Sequence, residues 1–426
     1  MAVPTSEKGY AGSRSQWWAA PSDEETPELQ WPKNVDVYDR MRRQDAQVIS
    51  VVRAVTLPIR RTRWWIDPNG ARPEVARQIA DDLGLQVVGD TDRPVLRTRD
   101  RFSWPEHMRL ALLMLPFGHS VFEQVYRIDE KGMARLRKLA WRPPKTISQV
   151  DVAPDGGLVA IHQHGEGANG SVKIGVERLA VYVNDREGGN WLGQSLLRPA
   201  YKYWLLKDRL LRVQAQTVDR NGMGVPIYEA SKLPDSVTGE DRVKREKDEI
   251  DEGAKLAKGF RSGDNSGAAI PSSAKLTLKG VEGDLPDADK PIRYYDEQIA
   301  RAVLAHFLNL GTETGSWALG STFADFFTLS LQTIANQIAD TTTQHVIEDI
   351  VDLNWGPNEP SPRLVFEEIG SRHPATAESI RALIECGAIK PDQKLEEHLR
   401  TTYGLPVADP ATARDPIRSS PPTETK

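Results

Sequence analysis

One cysteine, Cys386, stands in 426 residues. A single thiol excludes an intrachain disulfide framework and a Cys-based zinc site. Basic excess is also missing. Lys and Arg number 55 against 60 Asp and Glu, the formal net charge is −5, and no Lys/Arg block stands out. A chain that wraps nucleic acid shows a basic stripe, so tight DNA binding is disfavoured and weak contact is left open. The longest apolar run, near Leu110–Phe117, falls far short of the ~20 residues of a membrane-spanning helix. Met1 to Ala20 has no apolar core of signal-peptide type. The expectation is a soluble chain made in a reducing cytoplasm, without membrane contact.

Catalytic signatures are scarce as well. Thr312-Glu-Thr-Gly-Ser316 lacks the Lys and Ser/Thr that complete a phosphate loop, and no Gly-x-Gly-x-x-Gly opens a helix after a strand. No Gly-x-Ser-x-Gly nucleophile elbow is present. His162, His164 and Glu166 on one strand have metal-ligand spacing, but no second cluster completes a shell, and exposed strand polar residues are the simpler reading. His306, on an apolar helix face, reads as a packed or interface histidine. No cofactor and no metal are expected, and nothing assembles an active site.

What is there is length and pattern. Apolar content of 39% and charged content of 27% allow a packed core. The chain exceeds the single-core limit, so two to four subdomains are expected. Eleven tryptophans suit element ends that anchor subunit contacts. The organising stretch is 293–353. Ile299, Val303 and Phe307, with Ala300, Leu304 and Leu308, give one apolar helix face ended by Gly311. A polar, glycine-bearing loop follows: Thr312, Glu313, Thr314, Gly315, Ser316, Trp317, Ala318, Leu319, Gly320 and Ser321. From Thr322 the spacing of Phe323, Phe327, Ile334, Ile338, Val346 and Ile350 predicts a helix of roughly 30 residues, about 45 Å long. Such a helix suits a scaffold that presents the loop.

In chain order, residues 1–33 read as a flexible arm in which Trp17, Trp18 and Trp31 could dock on a neighbour. Asn34 caps a helix over Val35–Val55 that ends before Pro58. Arg60–Ile66 is β-prone, Asp67-Pro-Asn-Gly70 is a turn, and Pro73–Leu83 a short helix. Ser103 and Glu106 form a capping box opening a helix to Leu115. Strands are expected at Ser120–Ile128, Ala134–Trp141, Gly157–His164 and Arg178–Val183, making an α+β domain with a mostly antiparallel sheet. Ser195 caps a helix to Asp219, ended by Asn221-Gly222. Residues 234–260 read as a charged helix with the pairs Glu240–Lys244, Asp241–Arg245, Lys247–Asp251 and Asp251–Lys255 and a thin stripe of Val243, Ile250 and Ala257. Lys275–Lys279 is a strand, Arg363–Ile369 a strand returning to the N-terminal sheet, and Ala375–Cys386 and Asp392–Thr402 are short helices. The tail from Leu405 is expected to be disordered.

The order of several segments resembles the portal proteins of tailed phages, and in particular the Mu-like portal family. The carrying residues are Gly193-Gln-Ser-Leu-Leu-Arg-Pro199 with Trp204 and Lys207, then Asn221-Gly222-Met-Gly-Val-Pro226 and Asp296-x-Gln298-Ile-Ala300. Ala318-Leu-Gly-Ser321, Leu353-Asn-Trp-Gly356 before Pro362-Arg363, and Trp64-Trp-Ile66-x-Pro68 complete the set. The resemblance spans roughly residues 35–370. It implies an α+β portal-type fold with an α/β wing (34–233), stem helices (234–260 and 293–310) and a small clip (261–292). It further implies a tunnel loop (311–321), a long tunnel helix (322–353), a wing strand (354–374), a short helical crown (375–404) and a tail (405–426).

The resemblance also implies a homo-oligomeric ring, usually of twelve, at one capsid vertex of the virion. Double-stranded DNA passes weakly and without sequence preference, and the partners are the major capsid protein, the terminase large subunit and a head–tail adaptor. On this resemblance the clip residues that meet partners are Arg261, Ser262, Asp264, Asn265, Lys275, Thr277 and Lys279. A non-enzymatic DNA conduit is the expectation. The rivals are a metal-dependent hydrolase or nuclease using His162, His164 and Glu166, and an adaptor that forms no ring.

Overall fold

The computed structural model describes residues 24–90, 102–165, 170–223, 225–232, 238–259, 269–271, 273–279, 287–303, 317–370 and 390–392, with a few further positions besides. Two compact units divide the chain, Met1–Ile369 and Gly370–Lys426.

The first unit opens on two helices, α1 (Lys33–Gln44) and α2 (Ala46–Arg61). The single helix expected over Val35–Val55 is broken at Asp45. Its backbone turns extended, and its carboxylate accepts from the Gln47 and Val48 amides at 2.8 and 3.0 Å. That is an N-cap satisfying donors the helix start leaves orphaned. Pro58 does not end α2. The last turn carries Ile59, which is fully buried, so packing outweighs the missing amide.

β1 (Trp64–Asp67) is the middle strand of a three-stranded sheet, with β2 (Gln86–Val87) parallel on one side and β11 (Arg363–Phe366) antiparallel on the other. The return of the C-terminal strand to the N-terminal sheet agrees with expectation. Trp64 and Ile66 point inward and Trp65 and Asp67 are half-exposed. α3 (Pro73–Leu83) buries Val75, Ile79 and Leu83 and stops at Gly84, whose φ of +67° suits a residue without Cβ.

α4 (Trp104–Ala111) begins at Ser103, but no capping box forms. Glu106 pairs with Arg109 instead, and the helix breaks at Leu112 before the short α5 (Met114–Phe117). Two antiparallel sheets follow. One orders β4 (Ala134–Arg142), β3 (His119–Ile128) and β8 (Leu179–Val183). The other orders β5 (Ile147–Val152), β6 (Leu158–His164) and β7 (Ser171–Gly175). β5 and β7 are absent from the sequence expectation. β7 buries only Ile174 fully, so its apolar signal is thin.

Ser195 does not cap the next helix. Its hydroxyl donates to the Pro116 carbonyl and accepts from the Leu197 amide, which sets a turn, and α6 (Tyr201–Met223) starts after Ala200 and runs through Asn221-Gly222. β9 (Val225–Glu229), α7 (Glu240–Gly259), β10 (Lys275–Lys279) and α8 (Asp289–Arg301) come next. The long helix is three segments in a row: α9 (Trp317–Thr342), a π-helical turn (Thr343–Ile347) and α10 (Glu348–Trp355).

The main core joins α2, α3, α4, α9 and α10 to the sheets centred on β1 and β3, with Ile66, Ile79, Phe122, Tyr182, Ile338 and Ile350 almost wholly buried. A second cluster joins α1, α6 and α8 through Tyr38, Met41, Leu197, Trp204 and Ile299. Leu29 belongs to it at 2% exposure, and Glu24 pairs with Arg198. The flexible arm expected over 1–33 is therefore corrected: residues 24–33 are packed, because Leu29 finds an apolar seat and Glu24 a cation. Residues 1–23 lie outside the described residues.

In the second unit Asp392 accepts from the Leu395 amide at 2.7 Å and Glu396 pairs with Arg400 one turn on. Both fit the short helix expected over Asp392–Thr402. Most of the expected crown and the whole tail from Leu405 lie outside the described residues.

Candidate functional site

The features that bear on function lie along α6 to α9. α6 is buried only at its start. Tyr201 and Trp204 are in the second cluster, but Leu205, Leu206, Leu211, Val213 and Val218 stay exposed. Ile227 on β9, Val243 and Ile250 on α7, Leu278 on β10, Tyr294 on α8, and Phe326 and Leu329 on α9 are exposed as well. Scattered apolar side chains on a surface need no explanation, whereas a contiguous apolar patch marks an interaction surface.

α7 uses only the Ala257 end of the expected stripe of Val243, Ile250 and Ala257. Val243 is 68% and Ile250 53% exposed. The contact face is Glu249, Gly253, Leu256 and Ala257, and it packs on β9 of the antiparallel β9–β10 hairpin. Gly253 is required there: a Cβ would lie 2.1 Å from the Tyr228 ring. Glu249 accepts from the Ser231 amide at 2.8 Å. Lys275, Thr277 and Lys279 thus sit on a strand paired with Val225–Glu229, while Arg261, Ser262, Asp264 and Asn265 lie outside the described residues.

α6 and α8 are tied to α2 by a buried charge triad. Lys207 Nζ lies 3.0 Å from Asp45 and 2.5 Å from Asp296, and the Lys207 side chain is 9% exposed. Burial pulls the ammonium down, yet the two carboxylates beside it outweigh that, and its pKa stands above the ordinary lysine value. Of the residues singled out in sequence, Lys207 and Asp296 are brought together across two helices. The third member, Asp45, was hidden inside a stretch read as continuous helix.

The expected tunnel loop divides. Thr312–Ser316 lie outside the described residues, and Trp317, Ala318, Leu319, Gly320 and Ser321 form the first turns of α9 rather than a loop. Small residues at helical spacing do not block a helix when Leu and Ala are among them. Further along, α9 and its π turn carry a buried polar network. His107 Nε2 and the Tyr182 hydroxyl are 2.9 Å apart, and that hydroxyl is 2.9 Å from Thr342 Oγ1. Burial among Trp104, Phe122 and Tyr182 holds the His107 pKa down to about 3. Gln124 donates to the His345 carbonyl at 2.7 Å and to Asp349 at 2.8 Å. Burial raises the Asp349 carboxyl, with the Gln124 hydrogen bond pulling the other way.

Beside α9 an open groove of about 730 Å³ runs between the helix and β11. Its walls are Gln332, Asn336, Asp340 and Gln344 on one side and Arg363–Phe366 on the other.

The histidine strand forms no metal centre with its neighbours. His162 Nε2 lies 2.8 Å from Asp151, and Lys173 Nζ occupies the same carboxylate at 3.1 Å, where an ammonium opposes a second cation. These hydrogen bonds, that from His162 first, hold the Asp151 carboxyl down to about 2. His164 is exposed, Glu166 lies outside the described residues, and no group of three metal-ligating side chains occurs among the described residues.

A family model described as the portal protein of Mu bacteriophage matches residues 35–405. Among solved structures the chain is similar to one from the neck of an empty GTA particle computed with C6 symmetry (TM-score 0.54, 13% identity, 87% of this chain and 94% of that one). It is similar to one from the virion of a native gene transfer agent particle (TM-score 0.53, 11% identity, 88% and 94%). A third is from the neck of a native GTA particle computed with C12 symmetry (TM-score 0.52, 10% identity, 88% and 94%). These likenesses carry the fold, and the family match carries the rest.

Proposed function

The chain belongs to the family of the Mu bacteriophage portal protein, a structural family of the virion seated at the capsid portal, and from that premise we propose how this copy builds and serves its channel. Twelve copies close into a ring by heterologous contacts, each presenting one face to the next. The observation that carries this reading is the run of exposed apolar side chains along α6 to α9. Burying them against like copies removes apolar surface from water at roughly 25 cal/mol per Å².

In this reading the wing holds the major capsid protein. The clip segment, with Lys275, Thr277 and Lys279 on its strand and Arg261, Ser262, Asp264 and Asn265 earlier in its sequence, docks the terminase large subunit and then a head–tail adaptor. The stretch Thr312–Ser321 meets passing DNA. It has no Lys or Arg, so it releases few counterions and lets the duplex slide. The chain performs no catalysis, and DNA enters and leaves the capsid through it.

Leu211→Glu with Val218→Glu places two charges on the exposed α6 face. The expected result is a folded chain by circular dichroism that no longer forms rings. Rings that persist in the double variant would remove α6 from the subunit contact. Deleting residues 313–320 should leave rings intact and lower DNA packaging or retention. Loss of rings in that deletion would make the stretch structural.

A further inference from the structure

α2 and α9 pack against each other in the main core, where α2 buries Val51, Val55 and Ile59 and α9 buries Phe327, Leu331, Ala335 and Ile338. At 3.6 residues per turn each helix turns an opposite row outward. On α2 that row is Ala46, Ser50, Arg53, Leu57, Arg60 and Arg61, all exposed, with Leu57 at 50%. On α9 it is Asp325, Phe326, Leu329, Thr333, Asn336 and Asp340, with Phe326 at 61% and Leu329 at 57%. Each row is about 22 Å long.

The two rows differ in charge. The α2 row has three arginines and no acid, and Arg63 stands just before β1. Glu106 lies within reach of the Arg60 charge but is already paired with Arg109 at 2.5 Å. The α9 row has no cation. Asp325 opens it and Asp340 closes it, the latter with Arg363 across the groove. Arg53, Arg60, Arg61 and Asp325 make no ion pair among the described residues.

The rows also share one end of the long helix. α2 runs into β1, and the Arg63 carbonyl accepts from the Glu367 amide at 2.9 Å. Two residues on, the Ile369 carbonyl accepts from Gln332 at 3.1 Å, while at the other end of β11 the Leu364 amide donates to Thr343 at 3.1 Å. The arginine end of α2 is therefore level with Gln332 and the turns before it, which carry Asp325, Phe326 and Leu329. Rotation about a ring axis keeps each residue at its own height and radius. Faces that meet across a ring contact sit at like height and radius in one copy, a condition that two rows at the same end of α9 can meet.

Resting on the ring reading above, we propose that the α2 row of one copy packs on the α9 row of the next. Each α9 is then held between its own α2 and its neighbour's. Leu57 seats on Phe326 and Leu329, and Arg60 and Arg61 meet Asp325 about one turn away. The two faces differ, so the contact is heterologous and repeats from copy to copy until the ring closes. Leu57 favours a protein partner over a polyanion: the arginines flank an apolar side chain that phosphate leaves wet, and α9 offers apolar partners for it. Arginine suits the contact, since its fork binds a carboxylate bidentately and its stem covers apolar surface.

The test uses two full-length chains, both with Cys386→Ser, made together in one cell. One carries Leu57→Cys and the other Leu329→Cys, so a disulfide between positions 57 and 329 joins different copies. After mild oxidation the expected product is a linked pair of chains, with the 57–329 linkage identified by peptide mass. Its yield should be severalfold that obtained when Val88→Cys, an exposed position elsewhere, replaces Leu57→Cys. Arg60→Glu with Arg61→Glu in the first chain should cut the yield severalfold, and Asp325→Arg in the second should restore it. Native mass of the same fractions reads the ring separately. Rings without the 57–329 disulfide overturn the pairing and leave the ring standing. Linked pairs that form no rings support the pairing and count against the ring, and a preparation with neither overturns both. An undiminished yield in the Arg60→Glu, Arg61→Glu chain, with DNA retention lowered instead, overturns the pairing in favour of a polyanion contact.

Discussion

His107 shows how one buried ring makes the fold sensitive to acid. Its side chain is packed among Trp104, Phe122 and Tyr182 and held neutral, with a folded pKa of about 3 against about 6.5 unfolded. Because the folded value is depressed, its contribution is full above about pH 6.5 and is lost as pH falls toward 3. Between pH 7 and pH 5 the loss from this residue is roughly 2 kcal/mol. His107→Phe, which keeps an aromatic body there, should flatten that acid slope in urea-midpoint measurements at the two pH values. A residual slope remains from His119, likewise lowered by burial. An unchanged slope would mean that folding does not depress the His107 pKa. Nothing in the sequence flagged this histidine: it reads as a helix residue among apolar neighbours, and its partners Tyr182 and Thr342 are 75 and 160 positions from their bonded mates. The histidines that sequence did flag, His162 and His164, are surface strand residues. Spacing alone cannot distinguish a ligand pair from alternate positions of a half-exposed strand.

At the scale of elements, sequence was most legible where one signal was strong. α3, with Pro73 at its start and Gly84 past its end, matches its expectation in both bounds. β3, β4, β6 and β8 lie within a residue or two of theirs. Boundaries failed where tertiary packing overrode local grammar, as at Asp45, Pro58 and Ser195. α7 failed differently. Of the apolar heptad stripe Val243, Ile250 and Ala257, the first two face open space in the single chain and only Ala257 packs, on a face centred on a glycine. Gly253→Ala should favour an isolated helix by about 1 kcal/mol. Here the added methyl meets the Tyr228 ring, so the expected outcome is faster proteolysis of the α7–hairpin segment. Slower proteolysis would show that the ring moves aside at little cost.

For the whole molecule, the composition said more about what the chain does not do than about its shape. A net charge of −5 fits the proposed conduit, through which a polyanion slides without being held. The ordered set of weak motifs pointed to the portal family, and the family match over residues 35–405 agrees. What stays illegible in a single sequence is closure. The exposed side chains on α6 to α9 are apolar enough to be core and are open in one copy, and they are what the proposed ring would bury. In the proposed ring each copy meets the next through two different faces, and a single sequence carries no local signature that pairs them.

The most direct measurement is the native mass of the purified full chain, with negative-stain images of the same fractions. The account predicts rings with a central hole and a mass of twelve times 47.5 kDa, about 570 kDa. A monodisperse monomer or dimer, with the α6 face open to solvent and no rings when capsid protein is present, would contradict it.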